Sequence, residues 1–252
     1  MQKNTGKRYF LRLAYNGKGF SGWQKQPNAD SVQANLEAAL EILFKKPVQL
    51  IGAGRTDTGV HAKEMYAHFD VDEPLPVDFL KAMNGIIPKG IAIYDVQQVK
   101  SDVSARFEAI SRSYLYIINQ KKDPFWVDGS YYFPRSLNLE AMREAMKIIP
   151  QYSSFGAFCK AGAQNKTDLC QISDLRMEED GYFLNISITA NRFLRNMVRA
   201  IVGTLIEVGE GKLNPQDLHK VIQSGDRRKA GYSVPAHGLY LTRVEYPEEI
   251  FI

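Results

Sequence analysis

The sequence predicts an α+β fold with a mixed, largely antiparallel central sheet flanked by helices. Three observations carry that prediction. Strand-like runs rich in aromatic and β-branched residues are mixed with helical runs, without the strict strand–helix–strand rhythm of a parallel sheet. Residues 170–190 read as a hairpin turning at Asp180-Gly181. Each half also contains a strand, a long helix and a further strand, a hint of pseudo-symmetric halves with no residue-level repeat.

Residues 8–15, "RYFLRLAY", form the first predicted strand. A polar, glycine-rich loop follows, in which Phe20 and Trp23 look exposed. Residues 31–45 make an amphipathic helix: Ser31 is its N-cap, and Val32, Leu36, Ala39, Leu40 and Leu43 share one face. "VQLIGAG" is a short buried strand, "MYAHFDV" a second one and residues 77–86 a helix. "GIAIYDVQQV" and "SRSYLYIINQ" are strands, and "NLEAMREAMKIIP" is a helix ended by Pro150. Residues 151–167 are irregular, with 159–168 expected to be a mobile loop. The spacing predicts a long helix over 191–209, capped by Asn191 and closed near Gly209. A second helix has Pro215 in its first turn, and "HGLYLTRVEYP" is the final strand.

The chain has 252 residues, 44% hydrophobic and 24% charged, enough to bury a core in one large domain or two modest ones. A formal net charge of +4 permits a polyanionic partner without requiring one. Cys159 and Cys170 lack the spacing of a redox or zinc motif, and His61, His68, His219 and His237 are scattered. No metal and no cofactor are expected. The N-terminal segment is polar without a signal-peptide core, and the most apolar stretch, "MVRAIVGTLIEVG", is too short to span a bilayer. A soluble, reduced, cytoplasmic protein is expected.

Residues 52–62, "GAGRTDTGVHA", concentrate the chemistry. Gly52, Gly54 and Gly59 permit positive φ and close approach of a ligand. The stretch fits neither a P-loop nor a dinucleotide fingerprint. Asp-Thr-Gly also marks aspartic proteases, but that chemistry needs two carboxylates sharing a proton, and the triplet occurs once here. Arg55, two residues away, favours the ionised form of Asp57. An Asx-turn is the purely structural alternative. An ionised aspartate beside an arginine in a glycine-lined loop suits nucleophilic or general-base work.

Further segments accompany this one. "YNGKGFSGWQKQ", "SVQANLEAAL", "ARFEAISRSYLYII", "NRFLRNMVRAIVGTLIEVG" and "GLYLTRVEYP" run in order from near residue 9 to near residue 247. Together with "GAGRTDTGVHA" they closely resemble the tRNA pseudouridine synthase A family. The resemblance implies the pseudouridine synthase fold, with an active-site cleft between an N-terminal half (1–105) carrying the aspartate loop and a C-terminal half (106–252) carrying a tyrosine strand and an arginine helix. It implies conversion of uridine to pseudouridine at positions 38, 39 and 40 of the tRNA anticodon stem-loop, by a homodimer and without a cofactor. A paralogue with another target uridine and a catalytically silent RNA-binding protein are the alternatives.

Residue by residue, Asp57 matches the catalytic aspartate, acting at C1′ or as a base. Tyr114 matches the active-site tyrosine, with Tyr116 on the same strand face as the competing assignment. Arg199 sits among apolar helix positions and matches the arginine that pairs with the aspartate, so an Asp57–Arg199 salt bridge is expected. Arg55 would occupy the space left by the flipped nucleotide, and Leu241 would pack on the target base. Trp23, Gln24, Lys25, Gln26 and the basic run Arg227, Arg228 and Lys229 would bind RNA. Arg192 and Arg195, placed on the helix face of Arg199, would contact phosphates.

Overall fold

The computed structural model describes residues 6–163 and 166–252. The first five residues of the polar N-terminal segment lie outside the described residues, as do Gln164 and Asn165 of the expected mobile loop. In order, the elements are β1 (Lys7–Tyr15), α1 (Val32–Phe44), β2 (Ile51–Gly52), β3 (His61–Val71), α2 (Phe79–Ile86), β4 (Ile91–Val99), β5 (Ser111–Asn119), β6 (Tyr131–Tyr132), α3 (Leu139–Ile148), β7 (Ile172–Asp180), β8 (Phe183–Ala190), α4 (Met197–Gly209), α5 (Leu218–Ser224) and β9 (Leu239–Glu245). The chain divides into two compact units. The first runs up to Ile110 and regains Leu241–Ile252; the second is Ser111–Tyr240. The N-terminal unit therefore takes back most of the last strand, whereas the sequence division at 105/106 keeps that strand in the C-terminal half.

In the first unit β1 pairs antiparallel with β3 on one side and β4 on the other. Alternation along β1 puts Tyr9, Leu11, Leu13 and Tyr15 on one buried face. Helices α1 and α2 cover that face through an aromatic stack: Phe69 of β3 lies 5.7 Å from Tyr9, 6.3 Å from Phe44 of α1 and 5.9 Å from Phe79 of α2. Phe10 points to the opposite face, into a cluster with Val99, Val103, Ala105 and Ile250. The Ser31 hydroxyl caps α1 by accepting from the Ala34 N–H. The expected strand at 48–54 shrinks to the two residues of β2, paired with β3 at His68 and Ala67.

In the second unit β8 lies between β5 and β7, antiparallel to both, while short β6 adds to β5 in parallel. The sheets are thus mixed and largely antiparallel, flanked by helices. The β7–β8 hairpin turns on Gly181 (φ +60°) and Tyr182, one residue beyond the predicted pair. Helix α4 is a core helix rather than an amphipathic one: of its thirteen residues only Arg199 and Glu207 escape full burial.

That helix is capped five residues later than the sequence predicts. Its N-cap is Asn196, held in the left-handed region at φ +67°, and not Asn191. Phe193 and Leu194 continue the apolar pattern but pack from an irregular segment; Phe193 meets Tyr114 edge-on at 5.1 Å. Arg192 and Arg195 therefore do not share a helix face with Arg199.

Candidate active site

In the first unit the Asp57 loop is pinned on both sides. The Tyr15 hydroxyl and the Thr56 hydroxyl lie 2.8 Å apart, both buried. The Trp23 N–H donates to the Thr56 carbonyl (3.2 Å), the Gly59 N–H to the Phe20 carbonyl (3.4 Å), and the Gly17 N–H to His61 Nδ1 (3.0 Å). Gly22 allows this approach: its φ is +87°, and a β-carbon there would strike the Thr56 carbonyl. The loop holding Trp23 is in turn fixed to α1, because the Val32 and Gln33 N–H groups donate to the Gly22 and Trp23 carbonyls. Asp57 is half-buried between buried Thr56 and Val60. Its position is set by neighbours on two elements, as catalytic groups require.

Three sequence expectations change here. Trp23 and Phe20 are not exposed: Trp23 keeps 2% of its surface and Phe20 7%. The indole packs against Gly52, where a β-carbon would come within 2.5 Å of the ring. Gly52 thus admits a tryptophan rather than a ligand. Gln24 is an internal link, since its amide donates to Gln33 (2.9 Å) and its carbonyl oxygen accepts from Arg55 Nε (3.0 Å). Buried Gln33 extends the link by donating to the Leu50 carbonyl at 2.9 Å. Sequence reasoning passed over Gln33 and Thr56, whose helix-face and loop settings carry no chemical signature. Arg55 and Gln26 remain exposed, and Leu241 is buried.

In the second unit the two strand tyrosines separate. Tyr116 is completely buried, and its hydroxyl donates to the Pro235 carbonyl at 2.9 Å. Burial, reinforced by nearby Tyr131, pushes its phenol far above the ordinary range. Tyr114 is half-buried on the same strand. Arg199 is tied twice to Val234: its Nε donates to the Val234 carbonyl (2.7 Å), and the Val234 N–H donates to the Arg199 carbonyl (3.2 Å). Arg192 reaches the carbonyls of Thr167 (3.5 Å) and Leu169 (3.4 Å), while Arg195 is exposed. Arg228 forks onto Asp226. Arg227, expected on the RNA surface with its two neighbours, is turned inward onto the backbone. Among the described residues no group of three His, Cys, Asp or Glu side chains is gathered as for a metal ion, and no helix is long and apolar enough to cross a membrane.

Residues 153–247 match the family described as tRNA pseudouridine synthase. The tRNA pseudouridine synthase A of Parabacteroides distasonis is 49% identical over 247 residues, covering 97% of this chain and 98% of the relative. The chain belongs to the tRNA pseudouridine synthase A family. The enzymes of that name from Porphyromonas gingivalis and Caldicellulosiruptor bescii are 47% and 40% identical, over 97% and 94% of this chain and 99% and 98% of their own lengths. The family is one of isomerases. Its matched segment contains Arg192, Arg195, Arg199, Arg227 and Leu241 but not Asp57 or Tyr114. Those two fall within the near full-length similarity to the family's enzymes.

Proposed function

We propose that this chain isomerises uridine to pseudouridine in the anticodon stem-loop of tRNA, at positions 38, 39 and 40, and does so as a cytoplasmic homodimer. The observation that carries the reading is the presentation of Asp57: one half-buried carboxylate on a loop pinned by Tyr15, Trp23 and Phe20. Asp57 promotes cleavage of the C1′–N1 glycosidic bond, by attack at C1′ or as a base at the sugar. The freed uracil turns, C5 bonds to C1′, the C5 proton departs and N1 takes up a proton. Every atom of the substrate is retained in the product apart from exchange of that proton, so the reaction needs no redox partner. In this reading Arg199 is the cationic partner that orients the aspartate, and half-buried Tyr114 lies at the target base and assists loss of the C5 proton. Arg55 compensates for unstacking of the flipped nucleotide, and Leu241 packs on the base. Gln26, Arg192 and Arg195 contact the RNA.

The test uses unmodified tRNA transcripts tritiated at uridine C5. The wild-type chain releases tritium, and Asp57→Ala releases none while still binding the transcript. Absence of release by the wild type refutes the proposal. Transcripts that keep a uridine at only one of 38, 39 or 40 test the target positions one at a time, and retained release from a transcript lacking all three would point to another uridine.

A further inference from the structure

We propose that Arg227 is a positioning residue for Arg199, acting through the segment 230–235, and is not an RNA contact; the proposal rests on the catalytic role given to Arg199 above. Arg227 belongs to a run of three cations, which by composition reads as a phosphate-binding surface. Its side chain does something else. Nη1 donates to the carbonyls of Ala230 (3.1 Å) and Gly231 (2.8 Å), and Nη2 donates to the Ser233 hydroxyl oxygen (3.0 Å). One guanidinium thus gathers three acceptors spread over four residues, a geometry its planar fork suits and a lysine cannot copy.

The gathered segment lies on α4. The Gly231 N–H donates to the Thr204 hydroxyl at 2.8 Å. Contact is backbone to backbone, since a β-carbon on Gly231 would fall 2.7 Å from the Thr204 Cα and one on Gly203 would strike the Tyr232 carbonyl. The Ser233 hydroxyl also accepts from Asn196 Nδ2 at 2.6 Å, and Asn196 is the left-handed cap from which α4 starts. One residue further on, Val234 makes both bonds to Arg199. Arg227 therefore holds a strap whose last link fixes the Nε edge of the Arg199 guanidinium, and the same strap steadies the first turn of the helix that carries it. Arg228 and Lys229, by contrast, are exposed.

The experiment measures turnover at saturating tRNA and the equilibrium affinity for tRNA separately. Arg227→Ala lowers kcat at least tenfold and leaves Kd for an unmodified tRNA transcript within twofold; Arg227→Lys recovers part of the loss. Arg199→Lys keeps the charge but lacks Nε, so adding Arg227→Ala to it costs little more. Should Arg227→Ala not fold, Ser233→Ala removes the shared hydroxyl and is read in the same way. Weakened tRNA binding with kcat preserved, or a full additional loss in the double variant, overturns the proposal. A wild-type chain that binds tRNA without turning it over refutes the proposed function, and the positioning role falls with it. Wild-type turnover matched by Arg227→Ala refutes the positioning role alone.

Discussion

Protonation of His68 is expected to destabilise the first unit between pH 6.5 and pH 4. The ring is 3% exposed, stacks on Phe10 at 6.0 Å, and its Nδ1 accepts the Ala105 N–H at 3.1 Å. Burial pushes its pKa down from 6.5 to about 4; the Arg8 guanidinium adds to the fall and Asp70 opposes it. A proton therefore binds the unfolded chain more tightly than the folded one. Stability from this group is complete above the unfolded pKa and is lost as the pH falls towards the folded value. The difference between 6.5 and about 4 amounts to about 3 kcal/mol, a large part of an ordinary domain's margin. Protonation also turns Nδ1 into a donor facing the Ala105 N–H, so the bond is lost when the charge appears. Urea unfolding at steps from pH 7.5 to pH 4 measures the effect against His68→Asn, whose amide oxygen replaces Nδ1 without titrating. By pH 4 the wild type should have lost about 3 kcal/mol more than the variant. Parallel pH profiles for the two proteins would refute the reasoning.

Other consequences follow from the same contacts. Gly19 and Gly22 have nearly equal φ, +85° and +87°, but only Gly22 faces a neighbour. Gly22→Ala should therefore lower the thermal midpoint well beyond Gly19→Ala, whose cost is the backbone strain alone, about 1 kcal/mol. Trp23→Phe should cost about 1–2 kcal/mol of stability in denaturant melts, while tRNA affinity in a filter-binding assay stays within twofold of wild type. Tyr116→Phe removes the bond to Pro235 and should cost about 1–2 kcal/mol with turnover intact. Tyr114→Phe should do the reverse, with slow tritium release and an unchanged melt.

The fold class was legible because strands such as 8–15 and 111–119 advertise themselves locally, by composition and by alternation. The motif around Asp57 was legible for the same reason. What failed was whatever depends on a distant partner. Trp23 sits in a polar loop and reads as exposed; the partners that bury it, Gly52 and Tyr15, lie outside that loop, on β2 and β1. Asn196 breaks the predicted helix, yet Phe193, Leu194, Met197 and Val198 keep a helical apolar spacing across it, so Arg195 and Asn196 read as an ordinary polar face and periodicity does not mark the break. Tyr114 and Tyr116 are equivalent by strand alternation. They separate because Gly238 and Pro235 close over Tyr116, where a β-carbon on Gly238 would come within 2.8 Å of the phenol ring. Arg227 carries the same charge as Arg228, and only the carbonyls turned towards it set its role apart.

The indole of Trp23 resting on bare Gly52 also bears on how this chain can change over generations. Neither position drifts alone without a loss of stability. A side chain at 52 needs a smaller ring at 23, and a smaller ring at 23 leaves a hollow against the strand entering the Asp57 loop. Variation at the two sites should arrive as a correlated pair, and a chimera that exchanges only one of them between relatives should fold poorly even where every chemical group of the site is intact.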